Sequence, residues 1–265
     1  MSQTLATGGM LPTMATLVFF HAHPDDEAIA TGGTMHRAVR DGHRVVLVVA
    51  TRGEHGEVPD GFLHPDEELA ARRVAEVHLA AEIIGTHRVE FLPYRDSGMM
   101  GEPTNEHEGS FWTAPVHDAA DHLVRLLRDE NADVLTMYDE NGGYGHPDHI
   151  QVHRVGHRAA ELVPGLRLFE ATMNRDRIRE MMSEADRDDG PDIETLGSPD
   201  AVITTAVDVS GVLDVKRRAM AAHASQIPPD SWFMKLGPEA FLAAFGVEWF
   251  IRKDAVVVDR EPWLL

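Results

Sequence analysis

The chain has 265 residues, 43% of them hydrophobic and 26% charged, enough to bury a substantial core in a large α/β domain. Its formal charge of −20 repels phosphate backbones and anionic lipid surfaces, so neither nucleic acid nor membrane is expected as a partner. Cysteine is absent, which removes disulfides, thiolate metal ligands and thiol nucleophiles and leaves any metal site to histidine and carboxylate.

Residues 1–15 are small, polar and glycine-containing and read as a disordered tail. The first Lys or Arg is Arg37, so no basic leader is expected, no apolar run is long enough for a bilayer, and the expected compartment is the cytoplasm. Thr16 to His21 reads as a buried strand, and a helix is predicted from about Glu27 to Asp41, closed by Gly42. Arg44 to Thr51 is a second strand, apolar without alternation. Such strands separated by helices indicate a parallel sheet covered on both faces. A helix from about Pro65 to Ile84 leads through Gly85 to a strand near Val89 to Leu92. The irregular stretch from Pro93 to Thr113 has the length of a functional loop. Pro115 to Glu130 reads as helix, Val134 to Tyr138 as strand, Pro147 to Val163 as helix and Arg167 to Glu170 as strand. Then come an exposed, acidic, Gly- and Pro-bearing linker over 183–200, a strand near Ala201 to Val207, a helix near Leu213 to Ser225, a short helix from Pro238 and a last strand near Ala255 to Val258. The expectation is a doubly wound, mostly parallel, Rossmann-like α/β sheet over 16–182. A smaller C-terminal α/β extension, 201–265, is expected to complete the site. Ligands of such sheets bind beyond the carboxyl ends of the strands.

Two segments directly after predicted strands carry the chemistry, His21-Ala-His23-Pro24-Asp25-Asp26-Glu27 and Asn141-Gly-Gly-Tyr144-Gly145-His146-Pro147-Asp148-His149. Adjacent residues at a strand-to-helix turn point different ways, so one aspartate of the first segment can bind a metal while its neighbour faces a water. Pro147 suits the first position of a helix, which makes His146 the cap and puts Asp148 and His149 in the first turn, where Asp148 favours the helix dipole. Two imidazoles and one carboxylate form a recurring catalytic zinc set with a coordination position left open. His149, His153 and His157, spaced i, i+4, i+8, offer a second set, weakened because Ile150 stands where a companion glutamate is usual. Leu63-His64-Pro65-Asp66-Glu67 echoes the first motif without a preceding strand and reads as a helix start.

The two segments resemble those of the zinc-dependent N-acetylglucosaminyl deacetylases, the LmbE or PIG-L-like family, and look most like its mycothiol-pathway branch. The resemblance spans about residues 16 to 160, including Thr51 to Glu57 and Arg95 to Met99; beyond it Ala222-His-Ala-Ser-Gln226 is the best fragment. It implies that His23, Asp26 and His149 bind zinc, a set that also accepts Fe²⁺, Co²⁺ or Ni²⁺. It further implies Asp25 as general base toward a metal-activated water. His146, held by Asp148, would be acid and oxyanion stabiliser. Arg73 and Asp96 would contact sugar hydroxyls, with Tyr144 over the site. A histidine paired with Asp148 is expected to stay cationic longer than a free one. The expected reaction is hydrolysis of an N-acetyl group on an amino-sugar-containing small molecule. The rival readings are an amidase of thiol-sugar conjugates, in which the resemblance would place a lysine where Ala28 to Thr31 stand, and a catalytically inactive sugar-binding protein. The oligomeric state, homo-oligomer included, is left open.

Overall fold

The strand β1 (Thr16–His21) is an interior strand of a seven-stranded sheet in the computed structural model, which describes residues 14–184, 192–255 and 259–265. On one side it pairs in parallel with β2 (Arg44–Val49), Thr16 opposite Arg44 through His21 opposite Val49, and β3 (Arg88–Phe91) lies outside β2. On the other side come β4 (Val134–Tyr138) and β5 (Arg167–Thr172), also parallel. Two antiparallel strands complete the order β3-β2-β1-β4-β5-β7-β6, with β7 (Val247–Arg252) on β5 and β6 (Thr205–Asp208) at the edge. The C-terminal segment thus extends the same sheet.

The unalternated apolar strands follow from burial on both faces. Leu17, Phe19, Val45 and Leu47 pack on one side with Met35 of α1 (Gly32–Arg40), Val77 and Ile84 of α2 (Leu69–Ile84) and Met220 of α6 (Leu213–Ala222). Val18, Phe20, Val46 and Val48 pack on the other with Leu123 of α3 (Val116–Asp129) and Val152 of α4 (Pro147–Leu162). Strand order reverses between β1 and β4, the point at which a doubly wound sheet opens a crevice at its carboxyl edge. Both motifs emerge there.

Several elements differ from expectation. The helix predicted from Glu27 begins as a π-helical turn, Glu27–Thr31, and becomes α-helical only at Gly32. Lys216 donates to the Ile29 carbonyl at 2.7 Å, drawing that carbonyl out of the α ladder just before two glycines. The helix expected from Pro65 starts four residues later, because Glu67 accepts the His64 N–H at 3.2 Å and closes a separate turn. A helix α5 (Arg175–Glu184), not foreseen, follows β5; α7 (Trp232–Lys235) and α8 (Pro238–Phe245) precede β7. The strand β7 was likewise not foreseen, and the last expected strand falls largely on 256–258, outside the described residues, as do residues 1–13 of the tail and 185–191 of the linker. Of the described linker residues Asp192, Glu194, Thr195 and Pro199 are exposed, as expected, while Gly197 and Ser198 are buried, Gly197 donating to the Gly143 carbonyl at 2.6 Å. Among the described residues no helix is long and apolar enough to cross a membrane.

The C-terminal segment is tied to α1 by a buried charge. Glu248 accepts the Gly33 and Thr34 N–H groups at 2.8 and 2.7 Å at the start of α1, and Lys216 pairs with it at 2.5 Å. Lys216→Met removes the only side-chain cation on this buried carboxylate among the described residues. The expected destabilisation is about 3–5 kcal/mol in chemical denaturation; a loss below 1 kcal/mol would mean that the pair is solvated.

Candidate metal centre

His23 leaves the end of β1 and turns back on itself. Its backbone N–H donates to Asp26 Oδ2 at 2.8 Å, closing a three-residue turn that sets the His23 ring and the Asp26 carboxylate side by side. Across the switch point, His149 arrives in the first turn of α4, with Pro147 at the helix start and His146 as the cap, as the sequence indicates. The approach requires glycine at 142. Its φ is +62°, and a Cβ there would lie 2.5 Å from the His149 Cβ.

Three donor atoms converge. Asp26 Oδ2 is 3.6 Å from His23 Nδ1 and 3.3 Å from His149 Nε2, and the two ring nitrogens are 3.3 Å apart. Donors about 2.0–2.1 Å from a tetrahedral ion stand about 3.3–3.4 Å from each other, so the spacing fits a divalent cation with one face free. The outer contacts fit as well. His149 Nδ1 donates to the Gly142 carbonyl at 3.1 Å, and His23 Nε2 lies 3.1 Å from Asp148 Oδ2, which leaves the lone pairs of His149 Nε2 and His23 Nδ1 for an ion. Tyr138 stacks on the His149 ring at 4.3 Å and accepts the Ala22 N–H at 3.3 Å, so the ring plane is fixed from below.

Two other groupings lie nearby. His23, Asp96 and Asp148 meet on the Nε2 side of His23. There the Asp148 carboxylate is fully buried and already accepts Ser97 N–H at 2.9 Å and the Ser97 hydroxyl, so no face is open. His146 also reaches the cluster, but its Nδ1 is taken by the Asp148 N–H at 3.1 Å. The helical trio is not assembled. His153 and His157 turn to Glu170, at 3.5 and 2.6 Å, where Lys253 already sits at 3.3 Å.

Asp25 is next to the donors and carries backbone strain. Its φ is +99°, one of two positive values outside glycine among the described residues. Such a conformation costs about 1–3 kcal/mol and is kept only when the surroundings enforce it. Burial pushes its carboxyl up to about 6, Arg73 pulls it down and Asp26 adds to the rise.

The pairing expected between His146 and Asp148 is corrected by the structure. The Asp148 carboxylate serves His23 and Ser97, and only the Asp148 backbone N–H reaches His146. Burial above all, with His23 and His149 close by adding to the fall, pushes His146 down to about 2, so the ring is neutral, and with Nδ1 accepting the Asp148 N–H its proton resides on Nε2. It does not stay cationic longer.

Arg73 is buried, with Nη1 donating to the Gly53 carbonyl at 2.8 Å and Nη2 to the Pro24 carbonyl at 2.5 Å, 3.4 Å from Asp25 Oδ2. Its donors therefore brace the Asp25 turn; Arg72 instead pairs with Glu67. Asp96 is buried too, and accepts Gly98 N–H at 2.9 Å and His55 N–H at 3.1 Å, with lone pairs left on each oxygen. Tyr144 is exposed, its hydroxyl 3.4 Å from His149 Nε2. Sequence reasoning missed Ser97 and Tyr138 as supports of the cluster. Ser97 stood inside a quoted fragment and Tyr138 ended a predicted strand, but neither has a signal apart from its tertiary contacts.

Residues 18–160, more than half of the chain, match the family model described as "GlcNAc-PI de-N-acetylase". A 1D-myo-inositol 2-acetamido-2-deoxy-alpha-D-glucopyranoside deacetylase of Acidothermus cellulolyticus is 42% identical, covering 89% of this chain and 88% of its own. The N,N'-diacetylchitobiose deacetylase of Pyrococcus horikoshii shares the fold at TM-score 0.62 and 22% identity, covering 95% of this chain and 88% of that one. So does GalB, a 4-carboxy-2-hydroxymuconate hydratase of Pseudomonas putida, at 0.59 and 16%, covering 93% and 99%. The fold alone thus does not choose a reaction, whereas the family match and the identity with the first relative go further: the chain belongs to the GlcNAc-PI de-N-acetylase, or PIG-L, family.

Proposed function

We propose that the chain is a divalent-metal N-deacetylase that removes the acetyl group of an N-acetylglucosaminyl-inositol, the substrate named for its relatives at about 40% identity. The observation that carries this reading is the 3.3–3.6 Å triangle of His23, Asp26 and His149 donors with the strained Asp25 beside it. Zinc suits the donor set. When bound, the ion would supply the Lewis acidity that acidifies water and polarises an amide carbonyl.

The chain's own residues supply the rest. Asp25 takes the proton of the attacking water, a contribution of about 10²–10⁴-fold. Its carboxyl, near 6, is then acidic enough to return that proton to the departing nitrogen. Neutral His146 donates its Nε2–H to the oxygen on which negative charge develops. Asp96 accepts from sugar hydroxyls through its free lone pairs, and Tyr144 covers the open side. The C-terminal segment, 201–265, completes the site from behind.

Acetate release from 1D-myo-inositol 2-acetamido-2-deoxy-alpha-D-glucopyranoside, measured with and without chelator, tests the reading. Turnover should depend on metal and exceed that on free N-acetylglucosamine. Release of a larger acyl group from a thiol conjugate instead, or binding without turnover, would replace it. The role of His146 separates by two variants. His146→Ala should lose about 10²–10³-fold in kcat, whereas His146→Gln, which keeps an N–H donor, should retain most of the rate. Equal loss in both would make His146 the proton donor.

A further inference from the structure

Beyond the metal donors, the buried core behind the site holds an ion pair that the mechanism above does not use. Glu27 and His223 are both fully buried, and His223 Nε2 donates to Glu27 Oε1 at 2.5 Å. The other carboxylate oxygen, Oε2, accepts the backbone N–H of Asp25 at 3.1 Å. His223 follows the last turn of α6, well beyond the matched segment 18–160. It is fixed there through Ser225, whose N–H and hydroxyl donate to the two oxygens of Glu76 on α2 at 2.9 and 2.6 Å. One turn earlier on the same helix, Arg73 grips the Pro24 carbonyl and the Asp25 carboxylate.

The Asp25 peptide is therefore held from two sides. Arg73 fixes the carbonyl before it, and Glu27 fixes its amide. A carboxylate with one oxygen free to rotate could not set that amide; His223 pins the other oxygen. From this we infer that His223 is a positioning residue: through Glu27 it holds Asp25 at φ +99°, in the orientation from which its carboxylate reaches the attacking water. The inference rests on Asp25 being the base.

The test uses full-length, metal-loaded protein and reads kcat, KM, metal stoichiometry and Tm. His223→Leu should lower kcat by about 10²-fold, the loss typical of a misplaced catalytic group, with KM and bound metal unchanged. His223→Gln, whose side-chain N–H reaches the position of Nε2, should recover most of that rate; His223→Asn, one carbon shorter, should not. In an Asp25→Asn background His223→Leu should cost nothing further, because both changes act through the same carboxylate. Wild-type kcat in the leucine variant, equal kcat in the glutamine and asparagine variants, or a multiplicative loss in the double variant would each overturn the inference. If the leucine variant does not fold, the glutamine and asparagine pair decides alone. When Asp25→Asn is inactive and the His223 series is not, only the role of His223 falls. When Asp25→Asn is as active as wild type, the base assignment falls and His223 with it.

Discussion

Asp25→Asn should leave the protein folded and its metal at one equivalent while lowering kcat by about 10²–10⁴-fold. Asparagine is the informative change at this position for a conformational reason. The residue sits at φ +99°, which asparagine tolerates and alanine does not, so an alanine variant would mix lost chemistry with a relaxed turn. The side-chain amide fills the same space beside Arg73 and keeps an oxygen for its Nη2. What disappears is the ability to take up a proton. The metal should stay, because the triangle of His23, Asp26 and His149 is closed without Asp25. Metal analysis and steady-state kinetics on one preparation check the prediction. Loss of the ion together with activity would make Asp25 a ligand, and retention of the rate would move the base elsewhere.

The second large effect concerns the ion itself. Removing it with a chelator, or replacing His149 by alanine, should abolish turnover and lower the melting temperature. The chemical reason is the company the donors keep. Asp25, Asp26, Asp96 and Asp148 crowd around the two histidines, and among the described residues Arg73 is the one arginine that reaches them. A divalent cation offsets that repulsion, and its binding stabilises the fold by about 2.7 kcal/mol when free metal is a hundredfold above Kd. The stripped protein should still fold, because the His149–Gly142 and His23–Asp148 hydrogen bonds do not need the ion. Re-addition of zinc should restore both activity and melting temperature to the chelated wild type, but neither to His149→Ala. Full activity in chelator would contradict the reading.

Much of this was legible in the chain because it is local. Leu17 to Phe20 and Val45 to Val49 are apolar without alternation, which only a doubly covered sheet explains, and the parallel β1–β2 ladder follows. His23, Asp26 and His149 each stand within a few residues of a strand end or helix start, so their convergence needed only the strand order. What escaped depends on distant contacts. The strand β7 places a glutamate, Glu248, inside the molecule, a position that only its contacts with Lys216 and the start of α1 reveal. The helix α5 is charge-rich, with only the short apolar set Ile178, Met181 and Met182 to announce it. The partner of the Asp148 carboxylate was misjudged for the same reason. Its neighbour in the chain is His146, but helix geometry turns the carboxylate away, toward His23 and Ser97. Arg73, expected to contact sugar hydroxyls, has as partners the Pro24 and Gly53 carbonyls, which only the fold brings beside it.

The claim on which the rest depends is that three side chains from the two ends of the crevice hold one divalent ion. Crystals grown with zinc, with data collected on both sides of the zinc absorption edge, address it directly. The account predicts an anomalous peak equidistant from His23 Nδ1, Asp26 Oδ2 and His149 Nε2, lost in His149→Ala. A peak on the His153, His157 and Glu170 cluster alone, or none near β1 and β4, would contradict it.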